Sequence, residues 1–512
     1  MFSEAAVSVT PMAVDCYVSR RGARIGRYQG ILSKGFAMYG KDPFDEHSNP
    51  QGVLNLGTSE NKLCFDLIEE WFNRPNGGSY IAPHLLQYSN VQGIESFREE
   101  IAKFLTEYAR APKALNPEHI VVMNGCCSIF AALSMVLFDP GDGYLIPTPY
   151  FGGVNPDMWL YGEVQAVHVP LDSKMSEGES VPFQLTVKKL EAAMQKAKEQ
   201  GIRVRALILI NPHNPLGDIY PEQLLKDCLD FAHRHKLHVI VDEIYMLSVY
   251  DDFSFTSVLS LNPPDPERIH FMWGFSKDFA MCGIRVAVLH TRNEEIRSAL
   301  NQLASFHGCP GPIQYVLSQL IADREWINKT FLPTNRRRLR EARRIIVDGL
   351  AALGIQVLRS SAGLFVWADF RKFLRTQTSE AEMELWWKLI DEKLYISPGI
   401  AFDCCEPGWF RLMFSDSANR IRLGIQRLKM VLQAYVIETI PMDDLREMAP
   451  SLDSVGIYSD SDSSDDGAEL LQRTSEAHAQ RNKIANIKAE NAGNTQQVRQ
   501  HLWRKNFAFE NC

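Results

Sequence analysis

Ser276-Lys277 comes directly after an almost wholly apolar run, Ile269–Phe275, which reads as a buried strand. An amine at the end of such a strand is partly desolvated. Its pKa is expected to fall, which frees the nitrogen as a nucleophile. Asp242 ends a second run of this kind, Val239–Val241, with Tyr245 three residues on. A carboxylate there is costly unless it meets a cation. Asn214 belongs to a third strand end, Asn211-Pro-His-Asn214-Pro-Leu-Gly217. Its two Asn-Pro steps hold the backbone extended and turning and present an amide at the tip. A fourth segment, Asn124-Gly125-Cys126-Cys127-Ser128, reads as a strand-to-helix junction. Free N–H groups and the helix dipole make such a junction an anion cup, to which Ser128 adds a hydroxyl. Gly283-Ile-Arg285 returns a guanidinium toward the same crevice.

Taken singly, these segments also read as ordinary structure: a turn, a salt bridge or helix cap, a surface lysine, a tight entry into a helix. Taken together, an anion cup, an Asn, an Asp, a Tyr, a Lys and an Arg follow one another at successive strand ends, where an open α/β sheet places its ligand crevice. That set matches the needs of pyridoxal 5'-phosphate (PLP). The lysine forms a Schiff base, the aspartate keeps the pyridine nitrogen protonated so that the ring acts as an electron sink, and cup and arginine hold the phosphate.

The order and wording of these segments resemble the class I/II (fold-type I) PLP-dependent aminotransferases, and within them the 1-aminocyclopropane-1-carboxylate (ACC) synthase-like branch. The matching text includes Asn55-Leu-Gly-Thr-Ser-Glu60-Asn61, Gln87-Tyr88, Ile146-Pro-Thr-Pro-Tyr150, NPHNPLGD, HVIVDEIYMLSV, SKDF and Gly408-Trp-Phe-Arg411, spread over roughly residues 15–435. By position, the resemblance implies that Lys277 is the Schiff-base lysine and that Asp242 pairs with the pyridine nitrogen. It implies that Asn214 and Tyr245 meet the ring's phenolic oxygen and that Tyr150 stacks on the ring. Cys127, Ser128 and Arg285 are then phosphate ligands, joined by Tyr88 from the neighbouring subunit of a homodimer with shared active sites. Arg411 clamps the substrate α-carboxylate in a bidentate fork, and Glu60 lies near the substrate amine. Two positions depart from the pattern. Gly274 stands where many members have a phosphate-binding Ser, and Pro156 stands where plant-type ACC synthases carry an Arg. The resemblance therefore implies transamination or deamination/elimination of small α-amino acids rather than ACC synthesis. A genuine ACC synthase acting on S-adenosylmethionine and a catalytically idle PLP-fold interaction protein are the alternatives.

The elements that must position these residues are legible as alternating strands and helices from about Asn116 onward, an α/β pattern that implies a mostly parallel sheet between helices. After Pro310 a long helical stretch leads to two strand-like runs and a last helix near Asn419–Ala434, an α+β unit. The expected organisation is a polar, irregular arm over 1–50, a large PLP-binding domain over 51–310, a smaller C-terminal domain over 311–436 and a disordered acidic and polar tail over 437–512. The 512 residues carry 54 basic and 62 acidic side chains, a net charge of −8, so no concentrated basic face for nucleic acid is expected. The longest nearly apolar run, Cys126–Phe138, is too short to cross a bilayer. The ten cysteines show no CxxC and no alternation with His, so no metal site is expected. Scattered cysteines and the lack of a secretory signal at the N-terminus point to the cytoplasm.

Overall fold

The computed structural model describes residues 20–74, 83–175, 179–250 and 254–439. The expected tail falls outside these residues, except that 437–439 close the last helix.

Seven strands form the main sheet: β1 (Ile120–Met123), β2 (Gly143–Thr148), β3 (Gln165–Pro170), β4 (Val204–Ile210), β5 (His238–Asp242), β6 (Ile269–Gly274) and β7 (Ala287–Thr291). Their spatial order is β1-β7-β6-β5-β4-β2-β3. All neighbours are parallel except β7, which is antiparallel to both β6 and β1. The near-continuous apolar runs follow from burial on both faces. In β4, Leu207 and Leu209 pack into one apolar cluster, whereas Ala206, Ile208 and Ile210 pack into another. The reversal of β7 has a direct consequence for the crevice. Its first residue lies at the edge where β1, β2, β4, β5 and β6 end, so Arg285, just before it, is delivered to that edge.

A second sheet contains β8 (Gln356–Val357), β9 (Phe365–Asp369), β10 (Ser397–Pro398) and β11 (Trp409–Met413) in the order β10-β11-β9-β8, all antiparallel. It shares an apolar core with the helices Leu332–Ala352 and Ala418–Thr439 through Leu339, Ile346 and Leu350 on the first and Ile421, Leu428 and Val431 on the second. The short strand Leu54–Asn55 pairs in parallel with Leu394–Tyr395, and Leu54 and Leu56 join this second core.

Within the segment expected to be irregular, helices α1 (Arg20–Arg27) and α2 (Ile31–Lys41) form. Ile31, Gly35 and Met38 recur at helical spacing, and Ile31 and Met38 pack on the second core. Glycines 30, 35 and 40 obscured that period in the sequence.

Candidate active site

Five of the predicted segments meet at the carboxyl edge of the main sheet, and the loop Gly57–Glu60 closes over them. Lys277 sits in the single helical turn Phe275–Asp278 that follows β6. Its Nζ donates to the Ser59 carbonyl at 2.5 Å and lies 3.8 Å from the Cys282 Sγ. Burial pulls the amine's pKa down, but Tyr245, Cys282 and Glu60 outweigh it, and the net shift is upward. The expectation of a lowered pKa is thus reversed. It considered desolvation alone and could not foresee which acidic groups the fold brings to the amine.

Tyr245, fully buried, shares a hydrogen bond of 2.9 Å with the Ser59 hydroxyl and stands edge-on to Phe365. Asp242, also buried, accepts from the Ile244 N–H at 3.1 Å. Burial pushes its carboxyl up to about 7, with Ile244 and Lys277 pulling the other way. No Lys, Arg or His among the described residues pairs with it. Arg411, on β11, is 2% exposed and lies between the rings of Phe365 and Phe402. It donates to the Asn214 Oδ1 at 2.9 Å and to the Gly57 carbonyl at 2.7 Å, and its Nε has no partner. No carboxylate among the described residues balances its charge. The central crevice therefore holds a buried acid without a cation and a buried cation without an acid, an arrangement that is expensive unless a ligand completes it.

The segment expected to form an anion cup joins β1 to α3 (Cys126–Leu137), and Arg285, just before β7, reaches it. Gly125 precedes the helix at φ +89°, and a Cβ there would lie 2.3 Å from the Arg285 Nη2. Only glycine lets the guanidinium approach so closely. Arg285 Nη1 donates to the Cys282 carbonyl at 3.0 Å. Cys127 is exposed at the first turn, and Ser128 Oγ donates to the Asn124 carbonyl at 3.1 Å. Gly274 is explained by packing: a Cβ there would meet the Val286 carbonyl at 2.8 Å and the Ala287 Cβ at 2.9 Å. A serine at this position would push β7, and with it Arg285, away.

Tyr150 follows β2, fully buried, its hydroxyl bonded to the Asn155 Oδ1 and 3.3 Å from the His168 Nε2. Pro156 lies half-buried in the first turn of α4 (Val154–Gly162), between Asn155 and Asp157. Glu60 is half-buried beside the Lys277 amine, its carbonyl held by the Ser415 hydroxyl at 2.7 Å. Tyr88 is the one predicted residue outside this group, fully exposed on its own chain. Sequence reasoning missed Ser59, Phe365, Phe402, Cys282 and Asp157. Asp157 is half-buried next to Cys127, its Oδ2 inaccessible and without a hydrogen-bond partner, and desolvation raises its carboxyl to about 7. Ser59 stood in the quoted Asn55–Asn61 text, but only contact with Tyr245 and Lys277 makes it visible.

The sequence profile of the family described as aminotransferase class I and II matches residues 51–428. The chain belongs to this family. A mouse protein named "1-aminocyclopropane-1-carboxylate synthase-like protein 1" is 47% identical, over 82% of this chain and 84% of its own. A human protein named "Probable inactive 1-aminocyclopropane-1-carboxylate synthase-like protein 2" is 45% identical, over 83% and 76%. The Arabidopsis thaliana "1-aminocyclopropane-1-carboxylate synthase 8" is 36% identical, over 77% and 86%. Among solved structures, the aspartate aminotransferase of Rhizobium meliloti shares the fold with a TM-score of 0.66, covering 82% of this chain and 99% of its own at 22% identity. The fold is therefore that of a class I/II aminotransferase, an α/β body of fold type I, and PLP is the family's cofactor. The residues present fit it. Asp242 is a buried carboxylate with no cation partner among the described residues, Arg285 lies over Gly125, and Lys277 offers an amine, a set with the chemistry that a protonated ring nitrogen, a phosphate and an aldehyde would complete.

Proposed function

We propose that this protein is a PLP-dependent enzyme that acts on small α-amino acids by transamination or by deamination/elimination. The observation that supports this most directly is Arg411: a buried, aromatic-flanked guanidinium with a free Nε and no carboxylate partner among the described residues. An α-carboxylate supplies the missing charge and accepts a bidentate fork. PLP, when bound, supplies an electron sink that stabilises negative charge at the substrate Cα.

The chain's own residues divide the remaining work. Arg411, itself oriented by Asn214 and Gly57, fixes the carboxylate and so the direction of the Cα–H bond. Lys277 holds a proton on Nζ, donated to the Ser59 carbonyl. Once neutral, it serves as the base for the α-proton. Asp242 is the carboxylate that would face the ring nitrogen, and Asn214 and Tyr245 the groups that would meet the phenolic oxygen. Tyr150 is assigned to the ring face and Glu60 to the substrate amine. Cys127, Ser128 and Arg285, with the amino end of α3, would hold the phosphate. Tyr88, projecting from the chain, is assigned to the neighbour's phosphate, which makes the active unit a homodimer with two shared sites. Sedimentation of a fully active monomer would contradict that assembly.

Reaction choice depends on what surrounds the leaving group. ACC formation from S-adenosylmethionine needs its sulfonium carbon held for internal attack, and Pro156 offers no donor or charge for this. Full-length protein with PLP is expected to convert small amino acids to keto acids and to yield little ACC or methylthioadenosine from S-adenosylmethionine, both followed by mass spectrometry. Strong ACC formation with an empty keto-acid panel would overturn this reading. An empty result in both assays, with PLP bound, would favour an idle interaction protein.

A further inference from the structure

We propose that Cys282 is a redox modification site whose oxidation captures Lys277. The two side chains are held together by one short loop. Lys277 lies in the helical turn after β6, the Met281 N–H returns to the Phe275 carbonyl at 3.3 Å, and Ala280 at φ +58° reverses the chain between them. The Cys282 Sγ is 3.0 Å from the Ser276 carbonyl and 3.8 Å from the Lys277 Nζ, and both groups approach the Ser59 carbonyl, at 3.7 and 2.5 Å. Thiol and amine thus share one backbone acceptor, the Ser59 carbonyl, and lie in van der Waals reach of each other. Cys282 is half-buried and, like the other described cysteines, not in a disulfide. Its position in the loop makes the thiol and the cofactor compete for one nitrogen.

The chemistry needs only a peroxide as oxidant. Hydrogen peroxide takes two electrons from the Cys282 sulfur: S–H and O–O break, S–O forms, and water leaves a sulfenic acid. The neutral Lys277 amine then attacks that sulfur. The N–S bond forms, the S–O bond breaks, and the departing hydroxide takes the amine proton as a second water. Two equivalents of an external thiol reverse the link, returning thiol and amine and ending as a disulfide. While the link stands, Lys277 has no free amine and the site cannot take up PLP. The S–N bond itself depends only on the Cys282–Lys277 geometry; its consequence for the cofactor rests on the function proposed above.

Full-length protein, with and without bound PLP, is treated with hydrogen peroxide, digested with trypsin without reductant and analysed by mass spectrometry. In the PLP-free protein we expect trypsin to fail at Lys277 and the peptide Ile269–Arg285 to appear two hydrogens lighter than its reduced form. PLP uptake falls to a small fraction of that of untreated protein, and dithiothreitol restores both. In Cys282→Ser the lighter peptide is absent and PLP uptake survives peroxide. In Lys277→Ala, Cys282 is instead trapped by dimedone as a sulfenic acid. Cleavage at an intact Lys277 beside oxidised Cys282, or a disulfide from Cys282 to Cys126 or Cys127, would overturn the proposal. A link that forms equally in PLP-loaded protein would uphold it and count against Lys277 as the cofactor lysine.

Discussion

Replacing Arg411 with Met removes the guanidinium while keeping most of its volume between Phe365 and Phe402. A carboxylate held by two charge-assisted hydrogen bonds loses about 1.5–3 kcal/mol for each. The pair is therefore worth roughly 3–6 kcal/mol, or about two to four powers of ten in kcat/KM. Folding should change far less. Gly57 and Asn214 lose a donor each, but the buried charge without an acid disappears, and the two effects offset to within roughly 2 kcal/mol. The assay compares an α-amino acid with the amine that lacks its carboxyl group, in wild type and Arg411→Met, after checking that the variant takes up PLP and melts cooperatively. The preference for the amino acid over the amine should collapse in the variant, because only the former uses Arg411. An unchanged preference in a folded, PLP-bearing variant would refute the assignment.

Gly125→Ala forces either Arg285 out of its cradle or a non-glycine residue into positive φ, and PLP affinity should fall roughly tenfold or more, read by absorbance titration. Wild-type affinity would show that Arg285 does not serve the phosphate. Gly274→Ser, although it restores the residue common in the family, should cost about 1–3 kcal/mol in denaturant unfolding and give no gain in PLP affinity, since its Cβ meets β7. Tighter binding in this variant would mean that β7 yields. Burial holds Asp242, Asp278 and Glu382 up at about 7 and Glu243 at about 8 in the PLP-free protein. Their unfolded values lie near 4, so between about 4 and about 8 these four groups bind more protons in the folded state and their own contribution to stability falls as pH rises. Burial of His213, His238, His270 and His290 lowers their pKa values and gives the opposite slope up to about 6.5. The thermal midpoint of wild type without PLP should therefore fall relative to that of Asp242→Asn from pH about 6 to about 8, because the histidines are common to both proteins; a difference that stays constant or changes the other way over that interval would contradict the assignment.

What the sequence revealed and what it concealed have a common physical basis. Strand ends were legible because a parallel sheet covered on both faces requires uninterrupted apolar runs, and Asn214, Asp242 and Lys277 stand where three of them stop. The order β1-β7-β6-β5-β4-β2-β3 was not legible, because pairing partners leave no local trace. The antiparallel course of β7, which brings Arg285 to Gly125, was hidden for the same reason. Arg411 was found through the wording Gly408-Trp-Phe-Arg411, yet its contacts with Gly57 and Asn214 span more than 190 residues of chain. The Lys277 pKa went the other way because its determinants, Tyr245, Cys282 and Glu60, come from three separate segments. Ser59 and Asp157 carry no signature of their own, being common residue types whose roles arise only from position.

The central claim is that Lys277 carries the cofactor, and borohydride reduction of full-length protein incubated with PLP tests it most directly. The protein should be yellow, borohydride should bleach the colour, and peptide mapping should find the reduced cofactor on Lys277, with Lys277→Ala folded but inactive and unlabelled. Protein that gains no absorbance with PLP, or that carries the label on another lysine, would contradict the account.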